Sequence, residues 1–142
     1  MTTRLFEKIL IATDGSEKNR AAVEEALRIG RACGSEVYAA YVADLSFESA
    51  SADVAIRDTW EVIQKEADTT LAAVRSRAEG VPMKTVILEG KPAAEIVRFA
   101  AENQIDLIVI GTRGKRGFER LLLGSVAEQV VRSAPCKVLV VK

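Results

Sequence analysis

Residues 8–16 read Lys8-Ile9-Leu10-Ile11-Ala12-Thr13-Asp14-Gly15-Ser16: a short apolar run with β-branched members, broken off by three turn-forming residues. A run of this kind, without polar alternation, is the pattern of a strand buried on both faces, as in a parallel sheet. Parallel strands need a crossover, and the next segment supplies a helical one. From Ser16 to Cys33 the positions Val23, Ala26, Leu27, Gly30 and Cys33 recur at helical spacing, with Ser16 in the N-cap role and Gly34 as the stop.

The same alternation runs outward along the chain. Val37 to Val42 reads as a second buried strand, and Asp44 to Asp53 as a loop without a period. Ile56, Trp60, Ile63, Ala67, Leu71, Val74 and Ala78 step by three or four, which predicts a long amphipathic helix ended by Gly80 and Pro82, with Trp60 as a core contact. Then come a strand at Thr85 to Leu88, a helix opened by Pro92, a strand at Leu107 to Ile110, a helix from Val126 to Arg132 and a strand at Val138 to Val141. Five strands and four helices in alternation predict an α/β fold: an open, doubly wound parallel sheet with right-handed crossovers and helices on both faces. No linker or repeat divides residues 1–142, so a single domain is expected.

Composition narrows the chemistry. Of 142 residues, 20 are Lys or Arg and 20 are Asp or Glu. This balance removes the global electrostatic case for a nucleic-acid or anionic-membrane binder, and any anion site must be local. There is no histidine, which excludes Ser-His-Asp and Cys-His nucleophilic sites, His-ligated zinc and histidine acid/base catalysis. Cys33 and Cys136 are too far apart for a CxxC motif and too few for a thiolate zinc site, so both are expected to act as small apolar residues in a reducing compartment. The start MTTRLFEKILIATDGS holds only a short apolar run flanked by charge, so neither a signal peptide nor a membrane span is expected, and the location is expected to be cytoplasmic.

Ligands of open α/β sheets bind beyond the carboxyl ends of the strands, where the strand order reverses. Two segments qualify: Asp14-Gly15-Ser16, and the stretch from Gly111 to Ser125 after the fourth strand. The second carries glycines at 111, 114, 117 and 124, then Ser125 at the start of the last helix, with Arg113, Lys115, Arg116 and Arg120 set against Glu119. Glycines let backbone approach a ligand, and a helix N-terminus offers unpaired N–H groups to a phosphate. On spacing alone a purely structural reading stays open, since Ser125 with Glu128 forms a capping box by itself. No G-x-x-x-x-G-K-[ST] and no G-x-G-x-x-G after the first strand is present, which excludes a P-loop and disfavours a dinucleotide cofactor.

ILIATDGSE, GTRGKRGFERLLLGSVAEQVV and SAPCKVLVVK together resemble the universal stress protein family over essentially the whole chain. Gly111-x2-Gly114-x9-Gly124-Ser125 fits that family's ATP-binding pattern at every defined position. The resemblance implies a Rossmann-like sheet of strand order 3-2-1-4-5, and ATP as ligand with Mg²⁺ or Mn²⁺ carried by its phosphates rather than by a metal site of the protein. It further implies Ala12 and Thr13 along the nucleotide's edge, Asp14 near the ribose or adenine, and backbone at Val42 against the adenine. Thr112, Arg113 and Gly114 would then cradle the phosphates next to Gly111, with Gly124, Ser125 and Val126 closing over them. It also implies a homodimer, made by antiparallel pairing of the strand Val138 to Val141.

Three functions are weighed on these residues. The leading one is a binding module, a nucleotide-dependent regulator in stress survival. The second is a slow ATP hydrolase or phosphotransferase; Arg113, Arg116 and Arg120 could neutralise charge there, but the proton acceptors in these segments reduce to Asp14 and Glu119. The third is a nucleotide-free structural dimer, in which the glycines shape a loop and Ser125 caps a helix.

Overall fold

The computed structural model describes residues 3–16, 19–43, 53–112 and 124–142, with backbone alone for 53–59. The element order is β1 (Lys8–Thr13), α1 (Arg20–Cys33), β2 (Glu36–Ala43), α2 (Asp53–Arg77), β3 (Met83–Glu89), α3 (Pro92–Glu102), β4 (Leu107–Gly111), α4 (Ser125–Ser133) and β5 (Lys137–Val141). All strand pairs are parallel and the order across the sheet is β3-β2-β1-β4-β5. This is the expected strand order, with β1 in the middle.

The apolar run of β1 explains that position. Ile9, Leu10 and Ile11 are fully buried, and their side chains alternate between two cores, as the period of two along a strand requires. Ile9 and Ile11 pack with Val23, Ala26 and Leu27 of α1 and with Ala67, Leu71, Val74 and Ala78 of α2. Leu10 and Ala12 pack with Ile96 and Ala100 of α3 and with Ala127 and Val130 of α4. Helices α1 and α2 therefore cover one face and α3 and α4 the other. Gly30 lets α1 sit close to the sheet, since a Cβ there would lie 3.0 Å from Val37 Cγ2.

The amino end of β1 is fastened by Asp106, in the turn before β4. Its carboxylate accepts from the N–H of Glu7 at 2.8 Å and of Lys8 at 3.0 Å, while its own N–H donates to Lys8 O at 3.0 Å. Ser35, fully buried, donates its hydroxyl to Phe6 O at 2.5 Å. These bonds hold the two ladders of β1 in register at one end.

The local signals fared unevenly. Pro92 stands at the head of α3, and α1 stops at Gly34 with φ +69°. Ser16, however, is not the N-cap of α1: Asn19 holds that position and the helix opens at Arg20. The reason lies in the turn, where Asn19 N–H donates to Ser16 O at 3.1 Å and carries the chain one further step before the helix begins. Asp53 belongs to α2 rather than to the expected loop, whose remainder, 44–52, lies outside the described residues. Trp60 is half-buried. Cys33 and Cys136 are free and half-buried rather than enclosed in the core.

Two outcomes follow from this frame. Asp106→Ala is expected to lower the unfolding free energy by about 1–2 kcal/mol by removing the acceptor of the Glu7 and Lys8 N–H groups, with a smaller loss in Asp106→Asn; urea midpoints measure both. Burial first, and the Asp106 carboxylate second, push the Cys136 thiol above its usual range. The folded state thus holds that proton more tightly, a contribution present below the unfolded thiol's pKa and lost as pH rises through the folded one. Alkylation of Cys136 at mildly alkaline pH is therefore expected to be slower in the folded protein than in urea, as mass spectrometry of the modified peptide would report.

Candidate functional site

At the carboxyl end of the sheet one ladder stops early. β1 pairs with β2 as far as Thr13↔Tyr41, and β4 with β5 as far as Gly111↔Val141, but β1 pairs with β4 only from Ile9↔Leu107 to Ile11↔Val109. Both strands run on, through Ala12-Thr13 and Ile110-Gly111, without pairing to each other. Here the helices also change faces, α1 after β1 on one side and α4 after β4 on the other. The parting lies at the switch point, where a crevice is expected.

The turn beyond β1 is held by its own side chains. Thr13, 4% exposed, accepts from Gly15 N–H on Oγ1 at 3.2 Å, and Asp14 Oδ1 accepts from Ser16 N–H at 2.9 Å. The second bond is an Asx turn, which fixes the Asp14 carboxylate at the mouth of the crevice. Gly15 has φ +80°, open to glycine and unfavourable for residues with a Cβ.

Across the crevice, Thr112 N–H donates to Val141 O at 3.1 Å, and Thr112 O accepts from Gly124 N–H at 2.6 Å. The second bond closes the base of the segment 113–123 and sets where α4 starts. It also moves the cap by one residue from the expected capping box. Gly124 is the N-cap and Ser125, exposed, is the first helical residue, while Glu128 pairs with Arg132 at 2.7 Å instead of reaching back. Gly124, as the N-cap, supplies no side-chain bond to α4, and the helix's first-turn N–H groups and the positive end of its dipole lie at the carboxyl end of the sheet.

The structure thus brings Ala12, Thr13, Asp14, Val42, Gly111, Thr112, Gly124, Ser125 and Val126 to one end of the sheet. Ala12, Val42 and Val126 share the α3/α4 side, packed on the core of that face. Arg113 and Gly114, with the basic residues Lys115, Arg116 and Arg120, lie outside the described residues. What is described is a crevice walled by backbone and small side chains, with one carboxylate at its mouth. Such a surface can hydrogen-bond and enclose an anionic ligand. Among the described residues no group of three His, Cys, Asp or Glu could hold a metal ion, and no helix is long and apolar enough to cross a membrane.

Two neighbours of the turn carry no sequence signal. Thr70 of α2 comes up against Gly15, and Asn19, 5% exposed, lies beneath the turn with its Oδ1 unpartnered. Neither belongs to a motif, and both are found by the fold alone.

Comparison with known proteins agrees with this fold. The model of the universal stress protein family matches residues 5–142. The universal stress protein MJ0531 of Methanocaldococcus jannaschii is 47% identical over 141 residues, covering 97% of this chain and 83% of that one. Among solved structures, the universal stress protein UspA of Lactobacillus plantarum superimposes with a TM-score of 0.85 at 31% identity, over 99% of this chain and all of that one. A universal stress protein in complex with cAMP gives 0.75 at 26% identity, over 96% and 97% of the two chains. One from Archaeoglobus fulgidus in complex with dAMP gives 0.66 at 26%, over 97% and 99%. On its sequence, its strand order and the extent of these matches, the chain belongs to the universal stress protein family.

Proposed function

We propose that this chain binds ATP in the crevice between β1 and β4 and acts as a nucleotide-dependent regulatory module in stress survival, as a cytoplasmic homodimer. The observation that carries the reading is the early parting of β1 and β4 beside the N-terminus of α4. An anion with hydrogen-bond acceptors meets backbone donors there, and a helix start of this kind suits a phosphate.

The neighbours' ligands support an adenine nucleotide in particular, since cAMP and dAMP share an adenine base and a 5′-phosphate linkage. The pattern Gly111-x2-Gly114-x9-Gly124-Ser125 extends this to ATP. Ala12 and Thr13 then line the nucleotide's edge, Asp14 meets the ribose or adenine, and the Val42 backbone lies on the adenine. Gly111, Thr112, Arg113 and Gly114 hold the phosphates, and Gly124, Ser125 and Val126 close over them. Mg²⁺ or Mn²⁺ arrives on the phosphates, which suits an ion that keeps several waters.

The two sheet edges differ in a way that supports the dimer. On β3, Lys84 pairs with Glu36 at 3.1 Å and lies over the Tyr38 ring, while Arg75 donates to Thr85. On β5, Val138, Leu139, Val140 and Val141 are half-buried along an edge whose backbone has a partner on one side. A charged edge resists further pairing, and an apolar one invites it.

Two measurements test this. Denatured protein should release an adenine nucleotide, and stripped protein should melt higher with ATP and Mg²⁺, by the equivalent of about 2.7 kcal/mol at a hundred times Kd. Gly124 has φ −69°, open to any residue, so Gly124→Val should fold yet lose the shift; neither released nucleotide nor shift in the unaltered protein would reject the reading. For the dimer, sedimentation equilibrium should give about twice 15.4 kDa, and a monomer mass at micromolar concentration would reject it.

A further inference from the structure

We infer that Thr70 of α2 is a positioning residue for the Asp14 turn, holding from the α1/α2 side the carboxylate that the opposite side presents to ligand. The inference rests on the nucleotide reading for its consequence, though not for its geometry. A Cβ built on Gly15 would lie 2.6 Å from Thr70 Oγ1, 3.4 Å from its Cγ2 and 3.6 Å from its Cβ. The Thr70 side chain is therefore packed directly on the Gly15 backbone, and that backbone stands between Asp14 and the N–H of Ser16 that orients it.

Ser16 Oγ and Asn19 Oδ1 are both buried without a hydrogen-bond partner, and α1 has no side-chain cap. Among the described bonds, Asn19 N–H donates to Ser16 O and links the turn to α1. Within the turn, Thr13 and Asp14 fix its shape. Its position relative to the sheet is set by the strand behind it and by Thr70 against its outer side. Thr70 is suited to this, because its β-branched side chain is stiff and its residue lies on a helix anchored by Ala67, Leu71 and Val74. A shift of α2 along the sheet is thus transmitted toward Asp14 through the contact of Thr70 with Gly15.

The test is a set of variants with two readouts: the amide resonances and hydrogen exchange of Gly15 and Ser16 in nucleotide-free protein, and the Kd for ATP with Mg²⁺. Thr70→Ala should shift both resonances, speed their exchange and weaken ATP binding roughly three- to tenfold, leaving the melting temperature of the nucleotide-free protein within a few degrees. Thr70→Ser, which keeps the oxygen beside Gly15, should restore most of the affinity. Gly15→Ala should weaken binding more, and Thr70→Ala should partly rescue it in the double variant by removing the close contact. Unmoved resonances, or an unchanged Kd beside moved ones, would overturn the inference. If the unaltered protein binds no ATP, the nucleotide reading fails instead, and the resonances alone decide whether Thr70 sets the turn.

Discussion

Three residue pairs, Ile9↔Leu107, Leu10↔Ile108 and Ile11↔Val109, join β1 to β4, and the rest of the molecule is arranged around where that ladder starts and stops. Below it Asp106 binds the N–H groups of residues 7 and 8, so the two strands begin together. Above it they separate while each stays paired to its outer neighbour. Beyond the parting, the chain is held by the turn at 13–16 on one side and by the link from Thr112 to Gly124 on the other. A crevice made this way needs no special side chain to keep it open. It results from two strands whose following helices leave toward opposite faces.

This origin explains which parts of the molecule were legible in the sequence. β1 was read at its observed limits because a strand buried on both faces is apolar throughout. β3, on the edge, was read short: Met83, Lys84 and Glu89 join it through pairing with β2, while their mixed polarity gives no strand signal. Helix starts were read from side chains, and both misplaced caps moved because a backbone bond decided the start: Asn19 to Ser16 for α1 and Gly124 to Thr112 for α4. The residues proposed for the site at the ends of β1 and β4 stand out in the sequence because they sit in contiguous motifs. Thr70 was not, since it lies mid-helix with no motif and reaches Gly15 only through the packing of α2 on the sheet.

Charge is arranged to leave this end of the sheet to backbone electrostatics. Arg20 with Glu24, Arg28 with Glu25, Arg98 with Glu95 and Glu102, and Arg132 with Glu128 are neighbours along helix surfaces, opposite charges set within about a turn of one another. Exposed pairs of this kind add little stability, and they also cancel each other's field. With 20 positive and 20 negative side chains in the chain, and screening over roughly 8 Å at physiological salt, an anion approaching from a distance meets almost no steering. What it meets on contact at this end of the sheet, among the described residues, is the N-terminus of α4. Discrimination among ligands at such a crevice is consequently decided after encounter, by how long the contacts last, rather than by how fast the ligand arrives.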